Sequence, residues 1–484
     1  MQSQSLVWVA GRMLLTHKAG YVCTLLMLVS GCATFDQRAG FTDVSTAVEA
    51  RSGKRVVWQL DTALDAQVDQ EVRALLHDTL TVDGAIQVAL LNNRNLQALY
   101  ADLGVAQADL VQAGLLKNPV FDGLVHAPLA GGPLEVEFHV AMAFLDIFYI
   151  PLRQRVAAAL FEEAKLQVMG AVLDFTATVR GAFYRHQADE QMLELLQTIG
   201  QALAIAFEVA QRLHDAGNIT DLDLARERAL YEEAKLQLRA AEVAARQSRE
   251  HLNILMGLWG PQTAWRIDRR LPDLPAQPMP FAEIKRRALL QSLDLASARQ
   301  RIIVAGEQLG VDRATALLPE SSLGAAAERE EGAWQVGATV SFPIPLFDQG
   351  QARVGRVMAE LRRAQQEYYA LGVQVRSTVR MVHERLQGAQ DRTLYYRDIL
   401  LPLRERIVNE TQLQYNAMQL GVFDLVRARE QQIQAAVAYI ETLLDYWLAH
   451  TDLGHVLSGR IPSPNGMAMG RRERPQARRE NAGH

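Results

Sequence analysis

The densest run of groups capable of chemistry is His214-Asp215, followed by Asp221 and Asp223. An imidazole and three carboxylates this close could ligate a divalent cation. The run lacks the spacing of an EF-hand loop and its closing glutamate, so no bound metal is expected. The other reading is polarity at the tip of a helical hairpin. No nucleophile elbow, phosphate-binding glycine loop, HExxH pair or paired Cys/His ligand set occurs. Neither enzymatic activity nor a cofactor is expected. The runs Arg226–Arg228 and Arg427–Glu430 read as solvated helix faces with pairs at i,i+4 spacing, a share of which can meet a partner.

The only cysteines are Cys23 and Cys32, which rules out a disulfide framework. Arg12, His17 and Lys18 precede an apolar stretch, Ala19 to Val29, that ends Val29-Ser30-Gly31-Cys32. This order describes a secretory signal. Its ending resembles a bacterial lipobox, which implies that Cys32 is lipidated, typically with a palmitate, and becomes the first mature residue. The alternative is an ordinary signal with a chance cysteine. Ala33 follows rather than aspartate, which favours the outer membrane. Met13 is an alternative start.

The chain of 484 residues is 22% charged and 49% hydrophobic, with a net charge of −5. That balance gives no support for nucleic acid as a partner. No uninterrupted apolar run reaches the length of a membrane-spanning helix, so any crossing would be made by strands. Two segments have the required alternation. In Leu134–Asp146, Val136, Phe138, Val140, Met142 and Phe144 fall on one face, with Glu135, Glu137 and His139 on the other. In Trp334–Ile344, Trp334, Val336, Ala338, Val340 and Phe342 oppose Gln335, Gly337, Thr339 and Ser341. Such a period of two marks a strand between an apolar and a wet surroundings.

Around these strands the pattern is helical. Residues 1–31 are the signal, and 32–79 are expected to form an extended N-terminal segment. Residues 80–260 give a helix, two strands and a long helical hairpin broken at Gly217-Asn218, with Thr220 or Asp221 as a cap. Residues 261–280 are a Pro-rich linker. The order recurs over 281–458, before a basic tail, 459–484, that reads as disordered. The repetition is visible residue by residue. Ala89-Leu90-Leu91 recurs as Ala288-Leu289-Leu290, an offset of 199. Val136, Val140 and Arg153 recur as Val336, Val340 and Arg353, an offset of 200. Asp223-Leu224 recurs as Asp424-Leu425, an offset of 201. The fold class is therefore mainly α with a small β part and an internal twofold sequence repeat.

With Ala85-Ile86, Ala89-Leu90, Asn92-Asn93, Asn118-Pro119, Pro345-Leu346-Phe347-Asp348, Tyr415 and Asp424-Leu425, the chain resembles the TolC-like outer-membrane efflux channel family over about residues 80 to 458. The resemblance implies a homotrimer with one shared β-barrel and a long periplasmic α-helical barrel. Elementary physics agrees. Four strands per chain leave two open edges, which cannot persist in lipid. Closure between two copies gives eight strands and a filled interior, whereas three copies give twelve and a lumen. Glu135, Glu137, His139, Gln335 and Thr339 are then expected to face the lumen. Val136, Phe138, Val140, Trp334, Val336 and Phe342 are expected to face outer-membrane lipid.

The resemblance further implies a passive exit duct for small toxic compounds, drugs or heavy-metal ions. Its partners would be a periplasmic adaptor and an inner-membrane RND-type pump. The alternatives are the exit duct of a type I protein secretion system and a periplasmic coiled-coil lipoprotein with no pore. Alternating strands argue against the last. By resemblance, Asp424 and Asp223 match aspartates of a periplasmic gate, and Tyr415 matches a tyrosine that bonds to the neighbouring hairpin. The match is incomplete. Arg427 stands where the family has a second aspartate, and Leu420 replaces a gate arginine. Arg427 could therefore pair with an acidic residue instead.

Overall fold

A computed structural model describes residues 36–60, 63–127, 134–275, 281–317, 321–330 and 333–462. Cys23, Cys32, the signal and all but the first residues of the basic tail lie outside them. The first departure from expectation is at the N-terminus. The segment read as extended contains two helices, α1 (Phe41–Ser52) and α2 (Ala63–His77). Val44 and Val48 of α1, and Val68 and Val72 of α2, are buried. Each helix thus buries a short stripe, and that stripe stabilises what local sequence leaves weak.

A short parallel pairing of β1 (Thr79–Leu80) with β4 (Arg266–Ile267) ties this region to the linker. Helices α3 (Val82–Asn92) and α4 (Arg94–Ala113) follow. They break at Asn93, whose Oδ1 accepts the N–H groups of Asn95 and Leu96 as an N-cap. The amide of Asn92 donates to the carbonyls of Met256 and Gly257, and that of Asn93 to Leu255. The Asn-Asn pair therefore satisfies the orphan carbonyls of a distant helix end.

The chain then rises through β2 (Val120–His126) and returns along β3 (Glu135–Met142). Helix α5 (Asp146–Asp215) runs unbroken for 70 residues, about 105 Å at 1.5 Å per residue. Buried Asp146 anchors its start. Arg153 donates to both carboxylate oxygens, at 2.6 and 2.9 Å. Burial alone would raise this carboxyl, but Arg153 and Lys117 outweigh it and hold it below the usual range. Part of α5 is long and apolar enough to span a bilayer. Polar residues interrupt that stretch, so it does not stand out in the sequence as one apolar run. The helix is several times longer than a bilayer core is thick.

Helix α6 (Asp221–Met256) returns antiparallel to α5. The same order of elements then occurs again. It comprises α7 (Phe281–Leu290), α8 (Leu293–Leu317), β5 (Ser322–Glu330), β6 (Ala333–Ser341), α9 (Gln351–Tyr395), α10 (Leu401–Asn416) and α11 (Val422–Leu457). A π turn, Tyr396–Leu400, separates α9 from α10.

The main core sits where α1–α4 and α7 wrap the middle of α5, the C-terminal end of α6 and, in the second half, the later parts of α9 and α11. Ile86, Leu90, Leu103, Val172, Val179, Leu252, Ile284, Val379 and Leu443 meet there. A half-buried ionic knot closes it. Arg460 donates to Asp174 and to Asp294, and His455 Nε2 lies 2.8 Å from Asp174 Oδ1. Three helices and the chain's C-terminal strap are joined at one point. Farther out, the first hairpin carries only a small cluster of Leu196, Ile199 and Ala241.

Candidate channel site: a four-stranded sheet and two hairpin tips

The four long strands form one antiparallel sheet in the order β2-β3-β5-β6. Its register separates the side chains as the alternation predicted. Phe138 stands opposite Gly123 and Ala327, with Val336 next across. The rings of Phe121 and Phe138 stack at 5.8 Å, and those of Phe138 and Trp334 at 6.1 Å. Val136, Phe138, Val140, Trp334 and Val336 therefore share one face, and it is bare: Val336 is 79% exposed and Phe121 65%. Phe342 lies one residue past the end of β6, ahead of Pro343, so it is not a strand residue.

The opposite face carries Glu135, Glu137, His139, Gln335 and Thr339. The structure joins two of them. His139 Nε2 lies 2.9 Å from Thr339 Oγ1 although β5 runs between their strands. Gly324 makes the bridge possible, since a Cβ there would come within 2.7 Å of that hydroxyl and 2.5 Å of the Val140 carbonyl. On its other side, His139 Nδ1 is 3.7 Å from Asp122. A polar row thus crosses the whole sheet.

Sequence reasoning missed three residues here. Asp122 is one. Glu328 stands between Glu137 and Gln335 on the polar face, and Arg329 between Val136 and Trp334 on the apolar face. The strand Ser322–Glu330 is mostly small residues and offers little contrast in polarity. Arg329 sits near the turn, where a long side chain can carry its charge past an apolar rim.

At the other end of the long helices, the two loops differ. His214 Nε2 lies 2.6 Å from Asp221 Oδ1 and ties the end of α5 to the start of α6. The bond to Asp221 holds this imidazole above its ordinary pKa, with Asp215 adding to the effect. Thr220 and Asp223 form a reciprocal capping box: Thr220 Oγ1 accepts the Asp223 N–H, and the Asp223 carboxylate accepts from the Thr220 N–H and hydroxyl. Asp223 is thus engaged in its own helix start. Among the described residues, no group of three or more His, Cys, Asp and Glu is placed to hold a metal ion.

Asp424 and Arg427 are both exposed at the second tip. Among the described residues neither makes a side-chain hydrogen bond or ion pair. Tyr415 is half-buried. The acidic partner expected for Arg427 is not found within the described chain. Among the described residues, no hydrogen bond joins Tyr415 to Asp424.

No protein-family model matches the chain. The cobalt-zinc-cadmium resistance protein CzcC of Cupriavidus metallidurans is 23% identical over 382 residues, covering 78% of this chain and 90% of CzcC. Among solved structures, CusC superposes with a TM-score of 0.64 at 14% identity, covering 78% of this chain and 92% of CusC. The chain has the TolC-like outer-membrane channel fold. The Campylobacter jejuni CmeC outer membrane channel agrees, with a TM-score of 0.63 at 17% identity over 85% of this chain and 92% of that one. Within the TolC-like fold, the sheet and the hairpin tips are the two ends of the long helices.

Proposed function

We propose that the chain is the outer-membrane exit duct of a tripartite efflux system, closed as a homotrimer with twelve strands. The observation that carries this reading is the sheet. It has two unpaired edges, β2 and β6, and one face in the open that is apolar apart from Arg329 near the turn. Backbone groups on such edges are satisfied in lipid only when β6 of one copy meets β2 of the next. The apolar face then meets lipid, and the row Asp122, His139 and Thr339 lines water. Exposed Phe144, Ile147, Phe148, Phe342, Ile344 and Phe347 supply an apolar belt at the base of the barrel, in keeping with a membrane boundary. Lipidated Cys32 adds a second anchor.

An inner-membrane RND-type pump supplies the energy, and a periplasmic adaptor joins it to this duct. The name of CzcC makes divalent transition-metal ions the first cargo to test, ahead of drugs. Under this reading, three copies of Asp424 surround the narrow periplasmic neck, with Tyr415 and Arg427 beside them. An acidic ring favours cations and holds divalent ions.

Purified protein in planar bilayers tests the reading. Stepwise, cation-selective conductance is expected, and Asp424→Ala should weaken selectivity and divalent block. Tyr415→Phe should raise the open fraction. A protein that inserts no conductance, or that crosslinks only as a monomer in membranes, would overturn the proposal.

A further inference from the structure

Between the two helical hairpins lies an open groove of about 1520 Å³. Its walls are mostly apolar and include Leu203, Leu213, Leu230, Leu425 and Ile433. Glu227 of α6 lines it and is only 9% exposed. Among the described residues this carboxylate has no hydrogen-bond donor and no cation as a partner. Burial raises its pKa, and no neighbouring charge contributes. The matching position in the second hairpin is Ala428, so a helix here has no packing need for an acid.

The remaining charges around the groove have the same sign on balance. Asp223, Glu233, Glu405, Glu430 and Glu441 line it together with only two cations, Arg397 and Arg429. Arg397 is already paired with Asp398 at 2.7 Å. A carboxylate on a mostly buried side chain with no partner is stabilised by a cation placed beside it. A metal ion is a poor match, because it needs several converging ligands, and among the described residues no three of these acids converge on one point. An organic ammonium with a hydrophobic body fits both features, and the groove exceeds the roughly 300–1,000 Å³ that holds a drug-sized molecule.

We propose that this groove binds lipophilic organic monocations, with the cationic centre on the Glu227 carboxylate and the hydrophobic body along the apolar walls. The site lies in the wall of the helical body. It does not depend on whether the assembled protein conducts.

The test is equilibrium binding of rhodamine 6G to the purified full-length protein in nanodiscs, read by fluorescence anisotropy against empty nanodiscs. Saturable binding is expected. Glu227→Gln keeps the shape and removes the charge, and should weaken binding by about tenfold or more. Glu232→Gln, on the exposed face, should leave it unchanged. Nile red, neutral and similarly apolar, should bind the wild type and Glu227→Gln alike. Rhodamine affinity unchanged in Glu227→Gln would overturn the proposal. So would failure of a bulky maleimide to label Ile205→Cys in the assembled protein: Ile205 lines the groove and is 63% exposed in the single chain, so the groove would then be closed by a neighbouring copy.

Discussion

The two helical hairpins begin from the same sheet and end at opposite degrees of constraint. In the first, α5 is continuous over 70 residues. Its loop turns at Gly217, at φ 76°, and the tip is closed by the His214–Asp221 bond and the Thr220–Asp223 box. In the second, every one of these devices is missing or reversed. Met418 occupies the Gly217 position at φ 58°, the one non-glycine residue with positive φ among the described residues. Tyr415 and Val422 replace the His214–Asp221 pair, and Gly421 replaces Thr220, leaving no side-chain cap. The helix before the loop is also interrupted. The offset between halves is 200 at Arg153 and Arg353 but 201 at Asp223 and Asp424. One extra residue must therefore lie within that helix. A π turn holds one extra residue in a helical ladder, and Tyr396–Leu400 does so, with Leu401 N–H donating to Tyr396. Pro402, which cannot donate to the Asp398 carbonyl, follows at once. The first tip is locked and the second is strained, uncapped and reached through a defect. That contrast places Asp424, rather than Asp223, on the tip whose carboxylate is not spoken for.

The largest effects are expected where the two halves agree. Val140 and Val340 occupy matching positions on the apolar face. Arginine at either should destabilise the membrane-inserted protein by roughly 2–4 kcal/mol, and equally in both halves. Glu137→Arg, on the polar face, should be tolerated, because Glu137 faces Glu328 in register and like charges directly opposite repel. Urea titration of the refolded protein in vesicles reads all three. Equal damage from Glu137→Arg and Val140→Arg would mean that the sheet does not separate water from lipid.

The next effect is an exchange of turn residues. Gly217→Met puts a side chain into the left-handed region and should cost about 1 kcal/mol. Met418→Gly should relieve a similar strain, less the added freedom of the unfolded chain. Opposite signs in thermal unfolding of the two variants would sharpen the contrast between tips. The same sign would break it.

Much of this contrast could be read in the sequence, though not its cause. The alternation in Leu134–Asp146 and Trp334–Ile344 fixed both faces of the sheet, because side-chain direction follows position in a strand without exception. The drift from 200 to 201 was equally plain, but nothing local marks the π turn, since Tyr396–Leu400 has ordinary helix formers. His214 and Asp221 were visible as a polar cluster. Their closeness depends on two helices meeting at a set distance, which spacing along the chain does not encode. Helices α1 and α2 escaped notice because each buries only a pair of valines. The bridge from His139 to Thr339 was hidden by the intervening strand and depends on the missing side chain of Gly324.

A smaller effect concerns the caps. Thr220→Ala removes one side of the capping box and should cost about 1 kcal/mol. Gly421 has φ −79° and ψ 162°, a conformation any residue adopts, so Gly421→Ser should stabilise the second tip by a few tenths of a kcal/mol. Hydrogen exchange of residues 221–226 and 422–427 would show the two tips moving toward each other in protection. Unchanged exchange in both variants would remove capping from the explanation.

The smallest effect is one of pH, and it belongs to the first tip alone. The hydrogen bond to Asp221 raises the His214 pKa above its ordinary value, and Asp215 supports the shift, with Nδ1 3.7 Å away. The folded chain therefore holds this proton more tightly than the unfolded one. The linked stabilisation is complete below the ordinary histidine value, about 6.5, and is lost as pH rises through the higher folded value. The second tip has Tyr415 and Val422 at these positions and carries no such linkage. Hydrogen exchange corrected for the intrinsic rate should show protection at residues 212–224 falling as pH rises above about 6.5, while residues 413–425 stay level. His214→Gln should flatten the first profile to match the second. A parallel decline at both tips, or one that survives His214→Gln, would show that the two hairpins are closed by something other than the residues that distinguish them.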